Sequence, residues 1–154
     1  DASFVNSTNS DIIFVFCTSL EFSYKYFEDF NCDACVEITD PEEFFRRVRV
    51  AVKQKIFIHE KGLLCGEVNY YRPDNPVGYN IKDATVLPFL KDEIYSGQHE
   101  FRFVFGARGA FELEQQIILN KVHDFRAEAM AGTVKSKIVK IGSIEDISLV
   151  HKAS

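Results

Sequence analysis

The chain has no tryptophan and only one methionine, Met130, in 154 residues. No apolar run approaches the roughly 20 residues a membrane span needs, so no transmembrane helix is expected. A basic start followed by an apolar stretch is also missing, and with it any signal-peptide pattern. Positive charge is in the minority: 18 Lys and Arg stand against 23 Asp and Glu, a formal net charge of -5. A general nucleic-acid binder carries a basic face, so this balance does not support nucleic acid as a partner. A local patch is the one route left to it, and the densest basic segment is Arg46-Arg47-Val48-Arg49 with Lys53 and Lys55. That run reads first as a solvated helix face. P-loop, G-x-G-x-x-G and G-x-S-x-G patterns are absent, and the four histidines form neither H-x-x-x-H nor H-E-x-x-H.

Cysteine is sparse. Cys32 and Cys35 make one C-x-x-C, half of a zinc knuckle, while Cys17 and Cys65 stand alone. A structural zinc site needs four ligands, and only a composite Cys32/Cys35/Cys65/His59 set could supply them. Cys17 and Cys65 sit among apolar residues and are expected to be buried thiols. The set reads as reduced cysteines of a cytoplasmic protein. The chain opens at Asp1 in a polar stretch, which suggests the C-terminal part of a longer protein. Its length suits one domain spanning 1–154.

What is present is aromatic and globular: 46% hydrophobic residues and 15 phenylalanines. Ile12 to Cys17 is an apolar run that predicts a buried strand. Glu21 to Phe30 reads as a short helix or loop, and Ala34 to Ile38 as a strand. Asp40-Pro41-Glu42-Glu43 is the best helix start: Asp40 can cap, Pro41 suits the first position, and Glu43 sits at the capping-box acid position. That helix should run to about Lys55. Short strands are expected at Ile56 to Ile58, Gly62 to Tyr71 and Val134 to Ile141, with a loop at Arg72 to Gly78. Thr85 to Lys91 reads as a short helix or irregular segment. Glu100 to Phe105 and Glu112 to Leu119 read as a hairpin, and Gly142 to Ile147 as a turn or short helix. Many short strands without a βαβ alternation predict an α+β fold with a mixed, mainly antiparallel sheet and few helices.

One segment carries chemistry. Gln98-His99-Glu100 runs into the apolar stretch Phe101 to Phe105. On a strand, residues two apart share a face, so Gln98 and Glu100 would project together, with His99, Phe101, Phe103 and Phe105 opposite. A carboxylate and an amide aimed at one point suit work on a sugar hydroxyl or a developing cation.

Cys17-Thr18-Ser19 at one strand end and Gln98-His99-Glu100 before another resemble, in that order, the last two motifs of the mono-ADP-ribosyltransferases marked by arginine, Ser-Thr-Ser and Gln/Glu-x-Glu. The resemblance implies an ADP-ribosyltransferase-like fold and transfer of ADP-ribose from NAD to a protein or nucleic-acid acceptor. It implies Glu100 as the catalytic glutamate and Gln98 on the acceptor side. Ser19 would steady the NAD pocket, with Thr18 beside it and Tyr95 able to stack on nicotinamide. Cys17 stands where the family has serine, and residues 1–16 contain no arginine for the first motif. The stretches Cys17 to Ser19, Val36 to Phe44 and Lys91 to Arg102 are also similar to bacterial proteins found among toxin and phage-defence genes.

Structural readings stand beside these. Glu100 could simply pair with Arg102 or Lys91, Ser19 could cap a helix, and Tyr95 could be a core-edge aromatic. Two other function classes stay open. A non-enzymatic interaction domain would show an exposed phenylalanine-rich patch that docks a partner protein. A metal-independent ribonuclease toxin would place His99 or His123 beside clustered arginines.

Overall fold

A computed structural model describes residues 2–8, 10–55, 58–72, 74, 82–119 and 136–153. Its centre is a three-stranded antiparallel sheet in which β7 (Glu100–Ala107) lies between β2 (Ile13–Ser19) and β4 (Ile58–Glu67). Three smaller ladders surround it: β1 (Ala2–Ser7) with β8 (Glu114–Leu119), β3 (Ala34–Ile38) with β9 (Ser148–Lys152), and β5 (Asn69–Tyr71) with β6 (Leu90–Asp92). The last ladder is parallel and the others are antiparallel. The helices are α1 (Lys25–Asp29) and α2 (Pro41–Lys53), with short 3₁₀ turns between strands. This is the expected α+β class, mixed and mainly antiparallel.

The central strand is covered on both faces, which is why it reads as a nearly continuous apolar run. On one face Phe103 and Phe105 pack with Phe44, Val48 and Val52 of α2 and with Ile147. On the other, Val104 packs with Ala84, Ala110 and Phe111. Gly106 is needed where β7 meets the following turn, because a Cβ there would lie 2.4 Å from the Ala110 Cβ.

The start of α2 forms as the sequence predicts: the Asp40 carboxylate accepts from the Glu43 amide at 3.0 Å, with Pro41 in the first turn. The Glu43 side chain does not reach back. It accepts instead from Arg46 Nε at 2.6 Å and Arg47 Nε at 2.8 Å. Arg47 continues to Asp146 and the Ser143 carbonyl, so one residue of the basic run fastens α2 to the 3₁₀ turn Glu145–Ile147 and is not part of a free solvated face. Asp40→Ala removes one cap and is expected to cost about 1 kcal/mol, read as a lower urea midpoint with an unchanged slope.

Several expectations are corrected. β7 and β8 do not form a hairpin; β7 pairs with β2 and β4, and β8 with β1. The polar segment Ala2–Ser7 is a strand that the sequence reading did not expect, as is β9. The stretch expected as one strand from Gly62 to Tyr71 is two, broken at Val68. Residues 136–141 carry no ladder, and 134–135, most of the loop at 72–78, Ile56 and Phe57 lie outside the described residues. Cys17 and Cys65 are exposed, not buried, because β2 and β4 are the outer strands of their sheet. The four cysteines are free, and among the described residues no group of side chains is disposed to hold a metal ion. No helix among the described residues is long and apolar enough to cross a membrane.

Candidate functional site

Cross-strand register builds the site. In an antiparallel pair, residues directly opposite share a face. Ser19 lies opposite Glu100 and Cys17 opposite Arg102, so these four form one polar face at the end of the central sheet. Thr18 is not among them. It lies opposite Phe101 on the other face, where its hydroxyl donates to the Phe101 carbonyl at 3.1 Å. Alternation along β2 therefore takes Thr18 out of the expected constellation.

Gln98 reaches the same place by a different route from the one expected. It does not share a strand face with Glu100, because it ends the 3₁₀ turn Glu93–Gln98. Asp92 starts that turn by accepting from the Ile94 amide at 3.1 Å. His99 then adopts a left-handed backbone, φ 44°, and turns the chain into β7. The two side chains meet at Lys91 of β6, whose Nζ lies 2.5 Å from Gln98 Oε1 and 2.8 Å from Glu100 Oε1. The same ammonium sits 4.8 Å from the centre of the Tyr95 ring.

Glu100 is held at both oxygens. Lys91 takes Oε1, while Arg102 donates to Oε2 from Nε at 2.7 Å and reaches it from Nη2 at 2.6 Å. The Arg102 guanidinium also donates to the Pro88 carbonyl, and the Glu100 amide donates to the Tyr70 hydroxyl at 2.9 Å. The Glu100 side chain is 11% exposed. Burial works against its charge, but the hydrogen bond from Lys91 and the charge of Arg102 outweigh it and hold the carboxyl below the usual glutamate range. Cys17 is pushed the other way, first by desolvation and then by the Glu100 charge. It is consequently a protonated thiol at neutral pH.

Ser19 ties the strand end to the turn before Glu100. Its hydroxyl lies 2.9 Å from the Gln98 carbonyl, 3.0 Å from the Glu21 carbonyl and 3.2 Å from the Tyr26 hydroxyl. Tyr26 in turn donates to the Gly97 carbonyl at 3.1 Å. Ser19 does not cap α1, whose capping residue is Tyr24. Four of the five sequence-predicted site residues, Ser19, Tyr95, Gln98 and Glu100, thus gather at one end of the sheet. Lys91, Arg102, Tyr26 and Tyr70 join them without having been singled out for the site. Lys91 and Arg102 were legible as ion-pair candidates for Glu100, and Arg102 also as a phosphate-binding arginine in the ribonuclease reading.

Of the residues that the other two function classes would use, His99 faces Glu21 at 3.7 Å, Arg102 is engaged by Glu100, and His123 lies outside the described residues. Phe22, Tyr24 and Phe30 are exposed, with the Phe22 and Tyr24 ring centres 5.2 Å apart. A cavity of about 440 Å³ lined by Phe14, Phe16, Phe44, Phe103 and Ile138 lies on the Phe103 face of the sheet, away from Glu100.

The depressed Glu100 carboxyl fixes a pH dependence. Its folded value lies below the unfolded one, so its contribution to stability is present in full above the ordinary glutamate range, about pH 4.3. It is lost as pH falls through the folded value. Glu43 and Asp146 are depressed as well, so total acid unfolding does not isolate Glu100. The stability gap between wild type and Glu100→Gln, followed by urea unfolding from pH 7 downward, is expected to stay constant to about pH 5 and to narrow below it.

Comparison with protein-family models, curated proteins and solved structures finds no match for this chain.

Proposed function

We propose that the Ser19/Gln98/Glu100 cluster is the centre of an ADP-ribosyltransferase-like domain, one that takes NAD as its substrate and passes ADP-ribose to a macromolecular acceptor. The observation that carries this reading is the convergence of Ser19, Gln98 and Glu100, which come from segments some eighty residues apart in the chain. Cleavage of a nicotinamide–ribose bond develops positive charge on the sugar. A carboxylate already ionised and fixed in place stabilises that charge without reorganising. Glu100 keeps a free lone pair on Oε1 beside the one used by Lys91, so a ribose hydroxyl can still donate to it. Tyr95 offers a ring face at the same edge for a flat base. Ser19 acts through the backbone, fastening the turn that carries Gln98.

The grip on the NAD phosphates must come from another cation than an arginine in residues 1–16, where there is none. A bacterial toxin or phage-defence setting follows only from the sequence resemblance. The test is calorimetric NAD binding and release of nicotinamide by the wild-type chain and by Glu100→Gln. Absence of both activities in the wild type sinks this reading.

A further inference from the structure

We propose that Lys91 is the positioning residue of this site, a single ammonium that aims the Gln98 amide and the Glu100 carboxylate at one point. The inference rests on the transferase reading for its catalytic meaning, but the geometry is independent of it. Gln98 and Glu100 belong to different elements, separated by the left-handed His99. Strand alternation therefore cannot align them, and the shared donor at 2.5 and 2.8 Å does.

Neutralisation alone does not account for Lys91. Arg102 already supplies Glu100 with a full counter-charge through two nitrogens, both directed at Oε2. A lone counter-ion on one oxygen leaves the other free to rotate, and a second cation on Oε1 fixes the carboxylate plane. Lys91 fixes the amide too. An ammonium can only donate, so Gln98 must turn Oε1 toward it and present its amide hydrogens outward. Burial makes the arrangement costly to leave unpaired: the Lys91 side chain is 20% exposed, and a charge withdrawn from water has to be matched. The groups that face Glu100 are Lys91 from β6, Arg102 from its own strand and Cys17 from β2, with the Tyr70 hydroxyl of β5 on its backbone amide.

The experiment compares wild type, Lys91→Met and Lys91→Arg. Glu100 ionisation is followed by carboxyl-carbon NMR, and the acid limb of NAD turnover against pH is measured in parallel. In Lys91→Met the Glu100 midpoint is expected to rise by about one pH unit or more, and the acid limb to rise with it. The value of kcat should fall on the order of 10²-fold with KM little changed, the mark of lost orientation. Lys91→Arg should return the acid limb toward its wild-type position. A Glu100 midpoint and acid limb that stay in place in Lys91→Met overturn the proposal. If the wild type turns over no NAD, the transferase reading fails, and the Glu100 midpoint alone still decides whether Lys91 governs the pair. If Lys91→Met does not fold, reductive methylation of the wild type replaces it. Lys91 should react far more slowly than Lys25, which is 74% exposed; equal rates overturn the proposal.

Discussion

Glu100→Gln is expected to lower nicotinamide release from NAD by about 10³-fold, the scale seen when a fixed group facing transition-state charge is removed. The substitution keeps the shape of the side chain and an oxygen that can accept from Lys91 or Arg102. What it removes is the negative charge. Two effects follow, and they separate. The chemical effect appears in kcat. The structural effect appears in stability, because Lys91 and Arg102 lose their shared counter-charge at a position where Glu100 is 11% exposed. Removing one member of a buried ion pair costs about 3–5 kcal/mol, and the retained amide oxygen brings the expectation toward the lower end. A variant that is destabilised yet turns over NAD at the wild-type rate would leave Glu100 as a structural acid and remove the catalytic assignment. Thermal melting on the same samples makes the distinction direct.

Phe103→Ala is the core substitution with the largest expected cost, about 3–5 kcal/mol in urea unfolding at pH 7. Phe103 is 6% exposed and lies in the central strand. Its ring centre is 5.4 Å from that of Phe101, 5.7 Å from Phe44 and 6.1 Å from Phe16. The adjacent cavity of about 440 Å³ already limits packing on one side, which places the expected loss nearer 3 kcal/mol. Phe16 is the control: it joins the same cluster from an outer strand at 52% exposure, and its truncation should cost about 1 kcal/mol. Because Phe103 points to the face opposite Glu100, Phe103→Ala should leave the Glu100 titration in place. Equal losses from Phe16→Ala and Phe103→Ala would contradict this account of the core.

The parts of the fold that were legible in the sequence are those encoded locally. Asp40 and Pro41 announced α2 because capping chemistry sits within one turn of the chain. The apolar run at Ile12–Cys17 announced the outer strand β2, and that at Phe101–Phe105 announced the central strand β7, both of whose faces are buried. Partners were not legible. A glycine-bearing turn after Phe105 suggested a hairpin, yet both strands that satisfy β7 lie far upstream of it in the sequence, and packing of Phe14 and Leu63 on the α2 face accompanies that pairing. Ala2–Ser7 is too polar to read as a strand; its ladder with β8 supplies what its composition does not. The site was half legible. Glu100 and Gln98 were read as a pair from their spacing, and Ser19 and Tyr95 were added by the resemblance to the ADP-ribosyltransferase motifs, but the cross-strand register that sets Ser19 opposite Glu100 has no local signature. The role of Lys91 was hidden for a similar reason. It depends on a 3₁₀ turn and a left-handed residue that fold the chain back on the ammonium, and no periodicity reports that.

The arrangement of the ladders also bears on how the chain acquires its structure. None of the described strands pairs with its sequence neighbour through a tight reversal. β1 waits for β8, β3 for β9, and β2 and β4 both wait for β7. Each pairing closes a long loop whose entropy is lost before any ladder energy is gained. The early events are therefore expected to be local ones, such as the capped turn of α2, with the ladders, including the central one around β7, forming later. A chain that stalls before β7 docks leaves two strands, Ile13–Ser19 and Ile58–Glu67, without their common partner, and in that interval it is most exposed to pairing with another molecule.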